Sequence, residues 1–304
     1  MAQAVKDGRA GKVFVVGKSA LAYRDIYNEI FIPDLDGTIR FFATVDAAIG
    51  ACTANAGDTI YVLPGHTETV TATSIALDVA GVQVIGLGSG SALPTFTFGA
   101  AAATITVTGA STTWKNTKLV ANFADVAAAF TIGAAADVNI SNNVCVDTSS
   151  ILNFLSIVVT GSTNNDADGL TVVGNYWMGL AATANAFVSI LANEKRLLIT
   201  DNHVDLAATN NAGHFITLSS KIVLGTRILR NTCIVVGATN ATVGIFLTGS
   251  GTTSTGIVGF NLVSSLDTTT ELIATAGTGL GYFENYYTGT ADASGKLWPV
   301  VDAA

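Results

Sequence analysis

The segment VNISNNVCV at residues 138–146 decides the fold, because its pattern returns five more times along the chain. Each copy places an asparagine between two short runs in which apolar residues alternate with other residues. The later copies are LTVVGNYWM (170–178), LLITDNHVD (197–205), TRILRNTCI (226–234), GIVGFNLVS (256–264) and LGYFENYYT (280–288). A repeat of this length is typical of a solenoid, in which each copy forms one coil.

The asparagines themselves predict a side-chain ladder. TTWKNTKLV at residues 112–120 extends the series toward the N-terminus, and the intervals between asparagines are 24 to 32 residues, about 28 on average. Asparagine tolerates the left-handed conformation that a sharp bend requires, and stacked amides can donate and accept from coil to coil. Asp201 and Arg230 precede two of these asparagines, so an exposed ion pair is expected there. The predicted ladder comprises Asn116, Asn143, Asn175, Asn202, Asn231, Asn261 and Asn285.

A third strand-like run precedes each asparagine by about a dozen residues, as in FLSIVVTG at 154–161. Three short strands per repeat, separated by bends, predict an all-β right-handed parallel β-helix of about eight coils. We expect this body to cover residues 44–290, with an N-terminal segment at 1–43 and a C-terminal tail at 291–304. The charge distribution favours the first boundary, because residues 1–50 hold 12 of the 36 charged side chains.

The stretch TVDAAIGACTANAGDTIYVLPGHTETV at residues 44–70 predicts a helix over 44–53 that closes the first coil. Thr44 is a suitable N-cap, and one face would present Val45, Ala48, Ile49 and Cys52. The stretch resembles the opening of pectate-lyase-like β-helix proteins: a short helix, Gly57-Asp58-Thr59-Ile60, and a strand that ends in Pro64-Gly65. The resemblance implies the fold and not a reaction.

The enzymes of that superfamily carry motifs that this chain lacks. Gly65-His66-Thr67-Glu68 is near the G-x-Y-x-E element of pectin-methylesterase-like proteins, but their downstream acidic motifs have no counterpart here. We therefore predict no catalytic residue, no cofactor, no metal and no enzyme. Asp166 and Asp168 could bind calcium, although a solvated turn is favoured. The histidines, at 66, 203 and 214, are interpreted as turn or surface residues, and the cysteines, at 52, 145 and 233, as small buried residues.

A second resemblance covers GKVFVVGKSALAYRDIYNEIFIPDLDGTIRFFATVDAAI at residues 11–49 and its continuation to residue 70. This ensemble resembles the N-terminal half of β-helix proteins encoded among the virion structural genes of tailed bacteriophages. It implies a virion structural protein, made in the host cytoplasm, such as a capsid decoration or cement protein or a head fibre. The expected partners are further copies of the chain, most plausibly as a trimer, and the major capsid protein or other virion proteins.

The composition also points toward assembly. Hydrophobic residues make up 49% of the chain and charged residues only 12%. Even so, no apolar stretch approaches the roughly 18 residues of a spanning helix. The net charge of -8 disfavours nucleic acid as a partner. We expect contacts from residues 1–43 and from the apolar tail LWPVV at 297–301. The assembly candidates are Phe14, Tyr23, Tyr27, Phe31 and Trp298.

The alternative is a tailspike that binds or degrades polysaccharide. Cleavage of a glycosidic bond by acid catalysis requires two carboxyl groups at one groove, and the cluster to test is Asp166, Asp168, Asp201 and Asp205. Aromatic residues could add a sugar platform, although packing or a subunit contact is favoured: Tyr176, Trp177, Tyr286 and Tyr287. An adhesin or ice-binding surface of threonine ranks is a third option, disfavoured because no secretion signal is recognisable.

Overall fold

The structure is a computed structural model, and it describes residues 11–18, 40–72, 75–182, 184–207, 214–219, 221–235, 245–248, 254–265, 273–274, 279–288 and 296–298. Within these ranges the chain consists mainly of short strands and bends, with one α-helix, α1 (Val45–Gly50), and one 3-10 helix (Gly90–Ala92). Neither is long and apolar enough to span a membrane.

The strands, numbered β1 to β31 along the chain, form three long sheets and one short pair. Sheet A contains β1 (Val13–Val16), β2 (Phe41–Phe42), β3 (Thr59–Val62), β6 (Gln83–Gly86), β9 (Thr113–Lys115), β12 (Asn139–Ser141), β15 (Thr171–Val173), β19 (Leu198–Thr200), β23 (Thr226–Leu229), β26 (Thr255–Gly259) and β29 (Gly279–Phe283). Sheet B contains β4 (Thr67–Val70), β7 (Thr95–Phe98), β10 (Lys118–Ala121), β13 (Val144–Asp147), β16 (Tyr176–Gly179), β20 (His203–Leu206), β24 (Thr232–Val235), β27 (Leu262–Ser265), β30 (Asn285–Thr288) and β31 (Lys296–Trp298). Sheet C contains β5 (Ile75–Leu77), β8 (Ile105–Val107), β11 (Phe130–Ile132), β14 (Ser156–Thr160), β17 (Ala186–Ile190), β21 (His214–Ser219), β25 (Ile245–Thr248) and β28 (Ile273–Ala274). The pair consists of β18 (Glu194–Lys195) and β22 (Val223–Leu224).

From β5 to β30 the chain visits sheets C, A and B in turn, with β18 and β22 inserted between sheets C and A, and each strand pairs in parallel with its counterpart one coil away. Alternate side chains point inward, so that Leu119, Cys145 and Trp177 occupy one buried rank across β10, β13 and β16. The prediction of an all-β parallel β-helix is therefore confirmed. The high apolar content of the chain is explained in part by the continuous hydrophobic core that the coils enclose.

The asparagine ladder runs along the corner between sheets A and B. Asn143, Asn175, Asn202, Asn231, Asn261 and Asn285 are all buried there. In each step the Oδ1 atom accepts hydrogen bonds from the backbone N–H and the Nδ2 atom of the preceding asparagine, at 2.9–3.1 Å. Each Nδ2 also donates to a backbone carbonyl of sheet A, such as Val172 O from Asn202 at 2.8 Å. The ladder therefore satisfies the polar groups of a buried corner.

Asn116 lies outside this ladder, contrary to the prediction. Thr117 takes the equivalent position, because its backbone N–H and its Oγ1 both donate to Asn143 Oδ1. Asn116 instead donates from Nδ2 to Gly86 O at 2.7 Å. The predicted alignment was one residue out of register, which would have buried Lys118. In the structure Leu119 is the inward residue, since a shift of one position reverses the face of a strand.

Of the two reasons predicted for asparagine at this corner, the stacking of amides from coil to coil is confirmed and the left-handed conformation is not. The residue before each ladder asparagine adopts the left-handed conformation, with φ between 46° and 65° at Asn142, Gly174, Asp201, Arg230, Phe260 and Glu284. The ladder positions are selected for hydrogen bonding, and the bend is made one residue earlier. The predicted ion pair at this bend is confirmed: Arg230 Nε lies 2.7 Å from Asp201 Oδ1.

Helix α1 closes the first coil as predicted. Thr44 Oγ1 accepts from the backbone N–H of Ala47 at 3.4 Å, and Val45, Ala48 and Ile49 are buried beneath the helix. Glu68 Oε2 accepts from the backbone N–H of Val45 at 3.0 Å, which anchors the helix to β4. The helix packs against β1, β3 and β5 and covers the apolar end of the core.

The N-terminal segment also contributes to the solenoid. Strand β1 pairs in parallel with β3, and Phe14, opposite Ile60, is only 3% exposed and contacts Phe42. The prediction of Phe14 as an assembly contact is therefore wrong, because its side chain belongs to the core. At the other end, β31 pairs antiparallel with β30, with Trp298 opposite Asn285, and covers the edge of that strand.

Candidate functional site

The outer face of sheet C is a flat rank of small uncharged residues. One outward residue from each of six adjacent strands lies beside its counterpart on the next coil, and each is half-buried by its neighbours. The rank consists of Ala76, Thr106, Thr131, Val159, Ser189 and Thr217. At about 4.8 Å per strand it extends over about 24 Å. We call it the sheet C rank.

Sheet B has a broader outer face, which is also poor in charge. Its outward residues include Val144, Val146 and Met178. In the described strands β10, β13, β16 and β20, the outward ionisable residues other than tyrosine are Lys118, His203 and Asp205. The Tyr176 and His203 rings stack there with centroids 5.3 Å apart. Leu262 and Tyr286 extend the same face toward the C-terminal coils and are 38% and 48% exposed.

A carboxyl cluster occupies the corner between sheets C and A, where the loop at residues 161–169 lies against β18. Asp166 and Asp168 come from the loop, and Glu194 comes from β18. Asp168 Oδ1 accepts from the backbone N–H of Lys195 at 2.8 Å, and its Oδ2 lies 3.9 Å from Lys195 Nζ. We call Asp166, Asp168 and Glu194 the acidic corner.

Glu194 is the unusual member of the acidic corner. Its residue is 1% exposed, its Oε2 accepts from the backbone N–H of Ala167 at 3.0 Å, and its side chain is also hydrogen-bonded with that of Asp168. Burial raises the pKa of Glu194 to about 7, and the nearby charges of Asp168 and Asp166 act in the same direction. Glu194 therefore exchanges a proton near neutral pH.

A cavity of about 240 Å³ opens at this corner. Glu194 and Lys195 form one wall, the loop residues Asn164 and Asn165 form another, and Asn193 with the aliphatic side chains of Ile222 and Leu224 completes it. The corner thus combines a partly enclosed volume, a buried carboxyl group with a raised pKa and several polar side chains.

The four aspartates of the predicted cluster do not come together. Asp166 and Asp168 lie at the acidic corner, but Asp201 pairs with Arg230 at the corner between sheets A and B, and Asp205 lies on the outer face of sheet B. Sequence reasoning missed Glu194. The signal was available, because Glu194 follows Asp166 by 28 residues, one average repeat, which places the two on neighbouring coils.

A further buried acid, also missed, has a structural role. Asp147 is 3% exposed and accepts from the backbone N–H groups of Phe154 at 3.0 Å and Leu180 at 2.8 Å. Burial raises its pKa to about 6, although these hydrogen bonds oppose the rise. It secures the turn that leaves sheet B.

The other residues of interest are dispersed. His66 is buried rather than at the surface, and its Nε2 lies 3.1 Å from Glu68 Oε2 beneath helix α1. Trp177 points into the core, so it cannot join Tyr176 in a platform. Across the described ranges, no group of three His, Cys, Asp or Glu side chains could hold a metal ion. Of the assembly candidates, Tyr23, Tyr27 and Phe31 lie outside the described residues, as does the side chain of Trp298.

Replacing Glu194 by glutamine tests whether burial raises the pKa of this carboxyl group. Because the folded-state pKa is raised, wild-type stability falls as pH rises from about 4.5 toward 7 and stays lower above that. The glutamine side chain cannot ionise, so the free energy of unfolding of the variant should exceed that of wild type by up to about 3 kcal/mol at pH 8. This difference in stability should shrink as the pH falls toward about 5. Urea denaturation between about pH 5 and 8.5 measures the difference. Asp147 titrates equally in both proteins, and a gap that is independent of pH would contradict the assignment.

Comparison with known proteins agrees with the fold and goes no further. No protein-family model matches the chain, and no curated protein matches it. A solved structure of a rhamnogalacturonan lyase is similar over 95% of this chain and 90% of its own, with 11% sequence identity and a TM-score of 0.42. The prediction that the chain is not an enzyme is corrected by this finding, because a protein of similar fold is a lyase and the fold gives no ground for excluding catalysis.

Proposed function

We propose that the chain is a structural protein of a tailed-phage virion that assembles as a homotrimer on the capsid. The observation that carries the proposal is the sheet C rank, in which six adjacent coils present no charged outward residue among the strands described. The buried core of a subunit interface is depleted in charged residues, so a flat uncharged strip is suited to burial against a neighbouring subunit.

The remaining support comes from the sequence. Residues 11–70 resemble the N-terminal half of virion β-helix proteins, and only 12% of the chain is charged. Because the enclosed core uses one face of each strand, the shortage of charge must also affect the outer faces, as sheets B and C illustrate. Contacts with the major capsid protein, and a location on the virion, are parts of the same proposal.

Lysines on the sheet C rank should separate the subunits. We expect Thr131→Lys with Val159→Lys, on adjacent strands, to convert a trimer into a monomer, because two like charges would be buried at each contact. Sedimentation velocity measures the mass of each species, and co-sedimentation with phage capsids measures attachment.

The matched control places the same two charges on sheet A of neighbouring coils. Asn139→Lys with Thr171→Lys also occupies adjacent strands and outward positions, and this variant should remain trimeric. A monomeric wild-type protein, or a trimer that survives the lysines of the sheet C rank, would overturn the proposal.

A further inference from the structure

Sheet C has exposed apolar side chains at both of its edges, although its outer face is a rank of small residues. Its strands are parallel, so each begins at the corner between sheets B and C and ends at the corner between sheets C and A. Phe123 and Ile151 lie at the first corner, on consecutive coils, and are 44% and 72% exposed. Leu191 and Leu224 lie at the second corner, also on consecutive coils, and are 43% and 36% exposed.

The turn that carries Ile151 is held by hydrogen bonds. The backbones of Ser149 and Leu152 exchange two hydrogen bonds across it, both at 3.3 Å. Ser149 Oγ also accepts from the backbone N–H of Ile151 at 3.3 Å. Behind the turn, the backbone N–H of Asn153 donates to Phe123 O at 3.1 Å, which joins the two coils that carry the exposed pair. An apolar side chain on a fixed turn loses little conformational entropy when a contact buries it.

The opposite edge of sheet C provides a recess with an aliphatic wall. The cavity at the acidic corner has a volume of about 240 Å³, and Ile222 and Leu224 form one wall of it. The parallel pairing of β18 with β22 fixes the backbone at that wall. The cavity has room for one aliphatic side chain, and burial of apolar surface there is favourable. One edge therefore supplies a fixed apolar projection, and the other supplies a fixed recess.

A cyclic trimer brings these two edges together. When three copies turn sheet C toward a threefold axis, the first edge of each copy meets the second edge of the next, because cyclic contacts join two different patches. The first apolar pair precedes β11 and β14, and the second follows β17 and β21, which is an offset of two coils. This offset is about 10 Å across a sheet about 16 Å wide, so the pairs meet when the solenoids are inclined to the threefold axis by about 30°.

We propose that Ile151 of one copy enters the cavity at the acidic corner of the next copy and packs against Leu224. At the same offset, Phe123 then meets Leu191 on the adjacent coil. The occupant is a second copy of this chain, because the projection and the recess belong to one sheet and the two exposed pairs have the same spacing of one coil. The inference rests on the trimer proposed above and specifies the side chains that join its subunits.

Paired cysteines test this contact in the full chain. Ile151→Cys combined with Leu224→Cys should form disulfides under mild oxidation. The largest species on a non-reducing gel should be a covalent trimer, because the contact closes into a ring. Each single variant should give no more covalent species than wild type. Wild type is the control for the native cysteines, of which Cys145 and Cys233 are buried.

An acidic substitution tests the same contact without a new bond. Ile151→Asp should raise the dissociation constant of the trimer at least about tenfold, because it removes buried apolar surface and places a charge beside the acidic corner. Sedimentation velocity over a range of protein concentrations measures this change. The matched control is Leu262→Asp, which alters a side chain that is 38% exposed on sheet B and should leave the trimer intact.

Three results from a trimeric wild-type protein would overturn this contact: a double-cysteine variant that forms no disulfide, an Ile151→Asp variant as trimeric as wild type, or disulfides from Ile151→Cys alone, which indicate a twofold contact. If Ile151→Asp stays trimeric and no longer co-sediments with capsids, Ile151 contacts the capsid and not a second copy. The trimer proposed above survives each of these outcomes. A monomeric wild-type protein would refute both the trimer and this contact.

Discussion

Replacing Asn202 by alanine is expected to lower the free energy of unfolding by about 4 kcal/mol. Asn202 Oδ1 accepts from the backbone N–H and the Nδ2 of Asn175, and its Nδ2 donates to Val172 O and Asn231 Oδ1, all at 2.8–3.1 Å. Alanine removes all four hydrogen bonds and leaves the backbone N–H of Asn175 buried without its side-chain acceptor, whereas Asn175 Nδ2 keeps Ile140 O and Asn231 Oδ1 keeps the backbone N–H of residue 202. Because each coil contacts only its neighbours, the loss also weakens the coupling between the two halves of the solenoid. Urea denaturation followed by far-ultraviolet circular dichroism measures the effect.

Two further substitutions separate hydrogen bonding from packing. Asn202→Asp keeps the acceptor for Asn175 but turns a second oxygen toward Val172 O and Asn231 Oδ1, so stability should fall at neutral pH and recover partly in acid, where the carboxyl regains a proton. Asn139→Thr, on the same sheet but outside the ladder, should change stability by less than about 1 kcal/mol, because Asn139 Oδ1 has no hydrogen-bond partner. Equal losses from Asn202→Ala and Asn139→Thr would refute the ladder's energetic role.

Replacing Trp114 by alanine is expected to cost about 4 kcal/mol. Trp114 is fully buried, and its ring meets Phe96 and Phe130 edge-on, with centroids 5.1 and 6.0 Å away. Its Nε1 donates to Thr117 Oγ1 at 2.8 Å, and Thr117 in turn donates to Asn143, the first asparagine of the ladder. Alanine would therefore create a cavity and also remove a donor at the end of the ladder.

Trp114→Phe provides the comparison, because it keeps an aromatic ring between Phe96 and Phe130 and removes the indole N–H. We expect this variant to lose much less than the alanine variant, with about 1 kcal/mol of the loss due to the hydrogen bond to Thr117. Equilibrium denaturation by circular dichroism avoids reliance on the fluorescence of the substituted residue. A phenylalanine variant as unstable as the alanine variant would assign the cost to the hydrogen bond and not to packing.

The sequence determined the architecture because the repeat appears directly in the pattern of residues. Alternating apolar positions predict strands, the interval between asparagines predicts the coil, and Thr44 predicts the start of helix α1. The Asp201–Arg230 ion pair followed from the interval alone, since equivalent positions on consecutive coils are neighbours. The prediction failed at Asn116 because the neighbouring residue, Thr117, is also polar. The interval between repeats does not distinguish the two residues, and only the register of β10 against β13 places Thr117 in the ladder.

Tertiary structure alone decided which polar residues share a site. The sequence suggests that Asp201 and Asp205 form one cluster with Asp166 and Asp168, but sheet A of the solenoid separates the two pairs. Glu194 joins Asp166 only because consecutive coils stack, and its raised pKa arises from burial, which depends on what the 161–169 loop covers. The burial of Phe14 in the core, where the sequence suggested an assembly contact, likewise depends on a distant segment, because β1 pairs with β3. Local sequence specifies strands and bends, whereas burial and charge proximity depend on the stacking of distant segments.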